Sequence, residues 1–474
     1  MTRQVDAIVI GAGQAGPTLA MRLAREGRST VLIERRHLGG SCVNFGCTPT
    51  KAMVASARAA WMARRAAELG VQIDGTIQVD MAAVKAHRDA LVEQSRSGLR
   101  DGLQSAGVTL IDGHARFVAP REVQVGDRTL AAAQIFINTG ARAALPPIPG
   151  LADSGYWTPT GVMQADAIPE HLLVLGGGPV GVEYAQIFHR LGSRVTLIER
   201  HGRLLEDEDT DVSEAVQHIL EDEGIEVEVG AEAQSVQRGA HGITVAIDRG
   251  GSRAELAGSQ LLIGLGRRPN SDDLGLAEAG IATDARGHIQ VDSRLRTNVD
   301  GVWALGDVNG HGAFTHTAYN DFEIVANNLF GDGRRSLDDR IAAHAVYLDP
   351  PLGRVGLSET QTRASGRAVL IAKLPMTAVA RARERAETRG FMKVLVDQET
   401  SLILGGAILG IGGDEVVQTL LALMYARAPY PVLRDAVGIH PTVNELLPSL
   451  VAGLQPMEAP MERPNASAGR TAAS

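Results

Sequence analysis

The chain has 474 residues, of which 44% are hydrophobic and 21% are charged, so several packed domains are expected and extensive disorder is excluded. Its net charge of −9 argues against non-specific binding to nucleic acids or to anionic membranes. The sequence has no apolar run long enough to cross a bilayer, and its start does not resemble a signal peptide, so we expect a cytoplasmic enzyme.

The first predicted unit consists of a strand, a glycine-rich turn, a helix and a second strand. An apolar run over residues 5–10 predicts a buried parallel strand, which leads directly into Gly11, Gly13 and Gly16. Glycines at this spacing allow a tight turn, the approach of the backbone to a pyrophosphate, and close packing of the helix on the strand. Glu34 ends the second strand, where an acid binds a ribose hydroxyl group. The unit therefore predicts a dinucleotide site.

The only two cysteines, Cys42 and Cys47, follow this unit and are five positions apart. One short-range pair is a poor structural staple for so long a chain, and in a reducing compartment such a pair is typical of catalysis or metal binding. A zinc site needs further ligands, and His37 is the only histidine close in sequence. The pair therefore predicts redox chemistry.

Two predicted helices, over residues 52–69 and 81–104, precede a strand over residues 135–137 and a proline-rich linker at 146–150. Beyond the linker the first pattern repeats. Its glycines and its acid are Gly176, Gly178, Gly181 and Glu199. Two such units predict a flavin and a nicotinamide cofactor, because hydride can pass from one to the other. The glycines alone do not indicate which unit binds which cofactor.

Beyond about residue 341 the pattern changes to that of an α+β domain. Strand-like segments over residues 391–396 and 402–409 alternate with a helix over residues 413–427. The stretch from about Gln455 is rich in alanine, proline and serine, which predicts a disordered tail.

The cysteine segment, residues 39–51, reads Gly-Gly-Ser-Cys-Val-Asn-Phe-Gly-Cys-Thr-Pro-Thr-Lys and resembles the redox motif of the class I pyridine nucleotide-disulfide oxidoreductases. That family includes glutathione reductase, lipoamide dehydrogenase and mercuric reductase. The resemblance extends to Val-Trp-Ala-Leu-Gly-Asp at residues 302–307 and to His-Pro-Thr-Val-Asn-Glu at residues 440–445, in the family's order. It covers nearly the whole chain except the tail.

The resemblance implies an α/β fold with two Rossmann-like dinucleotide-binding domains and a C-terminal α+β dimerisation domain. The expected ranges are 1–150 for the first part of the FAD-binding domain, 151–285 for the NAD(P)-binding domain, 286–340 for the central segment of the FAD-binding domain, 341–454 for the interface domain and 455–474 for the tail. It also implies a homodimer that reduces a small-molecule or protein disulfide.

The resemblance further implies that the first glycine-rich turn binds FAD and the second binds NADH or NADPH. The expected FAD contacts are Gly11, Gly13, Gly16, Glu34, Ser41, Lys51, Ala115, Gly140, Asp307 and Thr315. The expected contacts of the nicotinamide cofactor are Gly176, Gly178, Gly181, Glu199 and Gly266. We expect a preference for NADH, because Glu199 repels a 2′-phosphate, although Arg200 and Arg203 lie close and oppose this effect.

By resemblance, electrons pass from the nicotinamide through FAD to the Cys42–Cys47 disulfide. Cys47 then forms the thiolate that contacts the flavin, and Cys42 attacks the substrate. Pro49 predicts an interruption of regular helix near Cys47, which places this thiol beside a positive helix end. Lys51 follows one helical turn later and, in the family, lies by flavin N5 and pairs with a glutamate that matches Glu183.

His440 and Glu445 are expected to complete the site. By resemblance, His440 takes and returns the proton of the substrate-attacking thiol, and Glu445 orients its imidazole. Pro441 is suited to the first position of a helix, which would place Glu445 in or just beyond the first turn. The resemblance also implies that each active site is shared between two chains.

The sequence departs from the best-known members of the family in the residues that set the substrate. Gln14 and Met21 replace a serine and an arginine of glutathione reductases, and no cysteine follows Cys47 to capture mercury. Pro179 matches a tyrosine that gates the nicotinamide pocket in glutathione reductase. The segment around His316 resembles a subgroup of mercuric-reductase-like oxidoreductases, some linked to oxidative or reactive-chlorine stress, and His316 is expected either near the flavin or in a packing or capping role.

Three alternatives to a disulfide reductase stay open on the sequence alone. They are a mercuric or cupric ion reductase, a lipoamide dehydrogenase-type component, and a non-catalytic flavoprotein that binds a partner.

Overall fold

In a computed structural model, which describes residues 2–458, the apolar run near the start of the chain forms the strand Thr2–Ile10. This strand lies inside a seven-stranded sheet and pairs in parallel with Thr30–Glu34 on one side and with Arg128–Ile137 on the other. Consecutive residues are apolar because both faces of the sheet are covered. Ile8 packs into one hydrophobic core and Val9 into the core on the opposite face.

The rest of this first region surrounds the sheet. Its other strands are Thr109–Asp112, Ala115–Ala119, Glu122–Val125 and Val302–Ala304. Its helices are Gly16–Arg25, Gly40–Asn44, Cys47–Arg64, Met81–Ser105 and Thr315–Phe330, with short 3₁₀ turns at Ala66–Leu69, Gly306–Asn309 and Leu337–Asp339. The helix predicted over residues 52–69 therefore begins earlier, at Cys47, and ends at Arg64. Pro49 lies in its first turn, where a missing N–H group costs no helical hydrogen bond. Regular helix is interrupted between Asn44 and Cys47, as expected, and Cys47 lies at the start of a helix.

The second region repeats the parallel arrangement on a smaller scale. Its four parallel strands are, in sheet order, Glu226–Val229, Arg194–Glu199, His171–Leu175 and Gln260–Ile263. An antiparallel sheet of Glu232–Gly239, Gly242–Arg249 and Ser252–Gly258 adjoins them in sequence. The helices are Pro159–Val162, Pro179–Leu191 and Thr210–Asp222. A short antiparallel pair, Ala141–Ala143 with Arg267–Pro269, connects the segments that leave the two regions.

Packing divides the described chain into two units, residues 2–340 with 344–351, and residues 341–343 with 352–458. The second unit has an antiparallel sheet in the order Leu352–Gly356, Ile403–Leu409, Phe391–Asp397, Val369–Pro375 and Gln455–Pro456. Its helices are Glu359–Ala364, Ala380–Glu384, Gly413–Tyr425, Pro431–Arg434 and Leu447–Ala452, with 3₁₀ turns at Met376–Ala378 and Asn444–Leu446. A short strand, Ala343–Val346, lies at the boundary between the units along the chain. The predicted fold class is confirmed.

The predicted tail falls partly inside the described residues. Its first residues form the strand Gln455–Pro456, which pairs with Ile371 and Leu370, while residues 459–474 lie outside the described part of the chain. Among residues 2–458, no helix has the length and apolar character needed to cross a membrane.

Candidate functional site

The first glycine-rich turn is shaped by contacts that leave no room for side chains. Gly11 has a φ of +97°, and a Cβ atom there would lie 2.4 Å from the carbonyl oxygen of Asn138. A Cβ atom at Gly16 would lie 2.2 Å from the carbonyl oxygen of Gly11, so the helix packs directly on the turn. The Asn138 side chain accepts a hydrogen bond from Gly16 N at 2.9 Å and donates one to Leu305 O at 2.8 Å. Asn138 thus joins this turn to the 302–307 segment.

The two predicted ribose-binding acids are anchored in the same way. Glu34 accepts hydrogen bonds from Ala12 N at 2.8 Å and from Arg36 N. Glu199 accepts them from Gly177 N at 2.6 Å and from His201 N. Each carboxylate has about four lone-pair sites, so each retains acceptor capacity for ribose hydroxyl groups.

Open space beside the backbone of the second turn, and beside two other expected contact glycines, fits a bound dinucleotide. At Gly178, Gly140 and Gly266, an added Cβ atom would meet no heavy atom within 4 Å. The N-cap residues of helix Gly16–Arg25 and of helix Pro179–Leu191 make no side-chain capping hydrogen bond. Gly16 N is already bound by Asn138 and prolines carry no N–H group, so the N–H groups that fit a pyrophosphate are those of the next residues in each first turn.

The cysteine pair lies on two consecutive helices. Cys42 is in helix Gly40–Asn44, and Cys47 is the first residue of helix Cys47–Arg64; both are free thiols. Asn44 holds the segment that leads into Cys42, because its buried side chain donates hydrogen bonds to Leu38 O and Gly40 O. The Sγ atom of Cys47 lies 3.1 Å from Thr315 Oγ1, at the start of another helix.

The pKa values of the two thiols shift in opposite directions. The hydrogen bond with Cys42, supported by Thr315 and by the positive charge of Lys51, lowers the pKa of Cys47 to about 6. The same hydrogen bond, together with burial, raises the pKa of Cys42. When the two thiols have lost one proton between them, the negative charge therefore resides on Cys47.

Lys51 is held from two directions. Its Nζ atom donates to Glu183 Oε2 at 2.7 Å and lies 4.4 Å from the centre of the Tyr347 ring. The other carboxylate oxygen of Glu183 accepts a hydrogen bond from Tyr347 N at 2.8 Å. Glu183 belongs to helix Pro179–Leu191, so this pair links the redox helix to the second dinucleotide region.

Asp307 lies in the 3₁₀ turn Gly306–Asn309, with its Oδ2 atom 3.3 Å from Arg267 Nε. Burial raises the pKa of Asp307, and Arg267 opposes this shift. Arg267 also donates to Ala141 O and lies 3.4 Å from Ser41 Oγ. Ala115, where a backbone contact with FAD is expected, is the buried first residue of strand Ala115–Ala119. Asp307 and Ser41, which are distant in sequence, therefore share one arginine.

His316 has a stacking role in the structure. Its ring stacks on Phe314 with centres 5.4 Å apart, and Phe314 also stacks on His344 at 5.4 Å. His344 Nε2 contacts Glu208 Oε1 at 2.7 Å. The structure thus shows a packing contact for His316 beside Thr315, and its expected place near the flavin stays a prediction.

His440 and Glu445 lie together in the second unit. The Nδ1 atom of His440 is 2.9 Å from Glu445 Oε2, and 72% of the histidine side chain is exposed. Pro441 does not begin a helix, contrary to expectation. The next helical turn begins at Asn444 and the next α-helix at Leu447, with Pro448 in its first turn.

The predicted residues of the first unit converge, whereas two others were missed. The structure brings Cys42, Cys47, Lys51, Glu183 and Thr315 together. Sequence reasoning missed Asn138 and Tyr347, which support these groups. An asparagine directly after a buried strand and before Gly140 was the available signal for the first; no pattern marked Tyr347.

Comparisons with known proteins agree with this geometry. The family model described as pyridine nucleotide-disulphide oxidoreductase matches residues 5–321, and that of its dimerisation domain matches residues 342–451. The probable pyridine nucleotide-disulfide oxidoreductase RclA of Escherichia coli is 36% identical over 94% of this chain and 98% of its own length. A dihydrolipoyl dehydrogenase of Thermus scotoductus is 34% identical, covering 93% and 95%, and a mercuric reductase of Staphylococcus aureus is 32% identical, covering 89% and 77%.

Comparison with solved structures agrees with these sequence comparisons. The chain is similar to the HOCl-induced flavoprotein disulfide reductase RclA from Escherichia coli, with a TM-score of 0.86, 35% identity, and coverage of 94% of this chain and 99% of the other. It is equally similar to the Cu(II) complex of that protein, with a TM-score of 0.87 and the same identity and coverage.

Proposed function

Because the chain belongs to the pyridine nucleotide-disulphide oxidoreductase family, we propose that it reduces a low-molecular-weight or protein disulfide through Cys42 and Cys47. It is an FAD-dependent oxidoreductase that acts on sulfur groups, with NAD(P)H as the electron source. FAD supplies two-electron transfer between the nicotinamide and the cysteine pair. The side chains of the protein carry out the thiol–disulfide exchange and the proton transfer.

One observation carries the proposal, namely the environment of Cys47, whose Sγ atom lies 3.1 Å from Thr315 Oγ1 where two helices begin. Once two electrons have reduced the Cys42–Cys47 disulfide, the charge is held on Cys47, where Thr315 and Lys51 stabilise it. Cys42 keeps its proton until a base removes it, and only then becomes the nucleophile.

The substrate disulfide is reduced in two thiol–disulfide exchange steps. Deprotonated Cys42 attacks one sulfur of the substrate, a mixed disulfide forms, and the first substrate thiol leaves with a proton from His440. The Cys47 thiolate then attacks Cys42 Sγ, the second substrate thiolate leaves and takes a proton from solvent, and the Cys42–Cys47 disulfide is restored. One NAD(P)H and one further proton are consumed for each disulfide reduced.

The match to a dimerisation-domain model supports a homodimer. We further propose that the partner chain supplies His440 and Glu445 to each site. Two large apolar side chains beside His440 support this, because Val437 is 98% exposed and Ile439 is 80% exposed in the single chain. We also propose a cytoplasmic location, because a close cysteine pair in a reducing compartment is typical of catalysis.

The test is a panel of disulfides assayed for disulfide-dependent NAD(P)H oxidation with wild-type and Cys42→Ser enzyme. Sustained turnover that is lost in the variant supports the proposal, and the absence of turnover with every disulfide contradicts it. Cu(II) belongs in the same panel, because a 35% identical relative was solved as a Cu(II) complex. Turnover with Cu(II) alone would favour a metal reductase instead.

A further inference from the structure

We propose that Tyr347 is a positioning residue that holds the Lys51 ammonium group against Glu183 and so keeps a positive charge beside the Cys47 thiolate. The inference rests on the proposed function, in which that thiolate is the electron carrier next to the flavin. It assigns a role to the segment Tyr347–Asp349, which follows the strand Ala343–Val346 and carries none of the predicted site residues.

Tyr347 contacts both members of the Lys51–Glu183 pair. Its ring centre lies 4.4 Å from Lys51 Nζ, and its backbone N–H group donates to Glu183 Oε1 at 2.8 Å. The second oxygen of Glu183 accepts from Lys51 at 2.7 Å. A cation over an aromatic face within about 6 Å is attracted by the ring quadrupole. The ammonium group is therefore bound between a carboxylate and a ring that are themselves joined.

The ring restrains a side chain that would otherwise have freedom. The Lys51 side chain is 31% exposed, and a lysine ammonium on its four-carbon stem rotates readily into water. One carboxylate oxygen fixes a distance but does not fix the direction of the ammonium group around it. The face of Tyr347 closes one of the remaining directions.

The groups that act on Cys47 divide into hydrogen-bond donors and one cation. Cys42 and Thr315 supply hydrogen bonds, and Lys51 supplies the positive charge that lowers the pKa of Cys47, with Glu183 as the counter-charge of Lys51. Displacement of the Lys51 ammonium group therefore raises the pKa of Cys47 without breaking either hydrogen bond.

The test compares Tyr347→Leu with Tyr347→Phe in the FAD-loaded dimer. The backbone contact with Glu183 persists in both variants, whereas only phenylalanine retains an aromatic face. Each enzyme is reduced by two electrons with dithionite, and the thiolate-to-flavin charge-transfer absorbance is titrated against pH. We expect the midpoint to rise by about half a pH unit in the Leu variant, which is about threefold less thiolate at a pH below the midpoint, and to stay near the wild-type value in the Phe variant.

Three outcomes would overturn the inference or its basis. An unchanged midpoint in the Leu variant refutes the role of Tyr347, and an equal rise in both variants assigns the effect to the hydroxyl group instead. A wild-type enzyme without any charge-transfer band refutes the proposed function itself. If the Leu variant does not fold with FAD, Tyr347→Met replaces it, with the same expected rise and the same refutation.

Discussion

The Sγ atom of Cys47 and the Oγ1 atom of Thr315, 268 positions apart in sequence, lie 3.1 Å apart. Cys47 begins one helix and Thr315 begins another, so two helix N-termini converge on the same thiol. Helix N-termini carry partial positive charge and favour an anion. The fold thus provides an electropositive position for a thiolate before Lys51 adds its full charge.

We predict that the two-electron-reduced enzyme shows a charge-transfer band that disappears in Cys47→Ser. The pKa of Cys47 is lowered to about 6, so the thiolate is present above that pH and is protonated as the pH falls through it. The band should therefore fade on acidification with a midpoint near that value. The measurement is a spectral pH titration. A band that survives in Cys47→Ser would show that another group donates the charge.

We predict that the enzyme prefers NADH to NADPH by about tenfold in kcat/KM, which is about 1.4 kcal/mol. Glu199 is fixed by Gly177 N and His201 N and repels a 2′-phosphate, while the Arg203 guanidinium group is engaged with Glu206 O and Thr210 Oγ1. Steady-state kinetics with both nucleotides test this. Glu199→Gln should reduce the preference, and Arg203→Met should leave it unchanged. A wild-type preference for NADPH would show that Arg200 or Arg203 is released to bind the phosphate.

The positions that sequence reasoning predicted well are those where local chemistry dictates the residue. Gly11 and Gly16 are required by backbone contacts at 2.4 and 2.2 Å, and such close approaches always leave a glycine pattern. Tyr347 left no pattern, because its role depends on a lysine about 300 positions away that only tertiary folding brings near. The prediction of a helix that begins at Pro441 was wrong for a different reason. A proline favours a helix start but does not enforce one, and Pro448 is the proline used.

We predict that Hg(II) is not turned over as fast as the best disulfide. Soft Hg(II) requires thiolates that capture it and pass it on, and the chain has only two cysteines, both of which carry electrons. The assay is Hg(II)-dependent NAD(P)H oxidation in excess thiol, with the preferred disulfide as reference. A kcat for Hg(II) that equals the kcat for the disulfide would contradict this prediction.

We predict that each active site contains Cys42 and Cys47 from one chain and His440 and Glu445 from the other. A proton-transfer residue must lie within hydrogen-bond reach of the thiol or one water away. His440 is 72% exposed and is oriented by Glu445, next to the exposed Val437. A two-fold dimer that covers this segment presents it twice, once to each cysteine pair.

Mixed dimers distinguish this arrangement from a histidine that acts within its own chain. Cys42→Ser and His440→Ala chains with different tags are co-expressed, and the heterodimer is purified. In the shared arrangement one site carries both changes and the other carries neither, so about half of the wild-type activity should return. Homodimers of each variant serve as controls, and His440→Gln in place of alanine tests whether hydrogen bonding without proton transfer suffices. Activity that stays at the level of the parent variants would place His440 in its own chain's site, and the flavin and cysteine assignments would still stand.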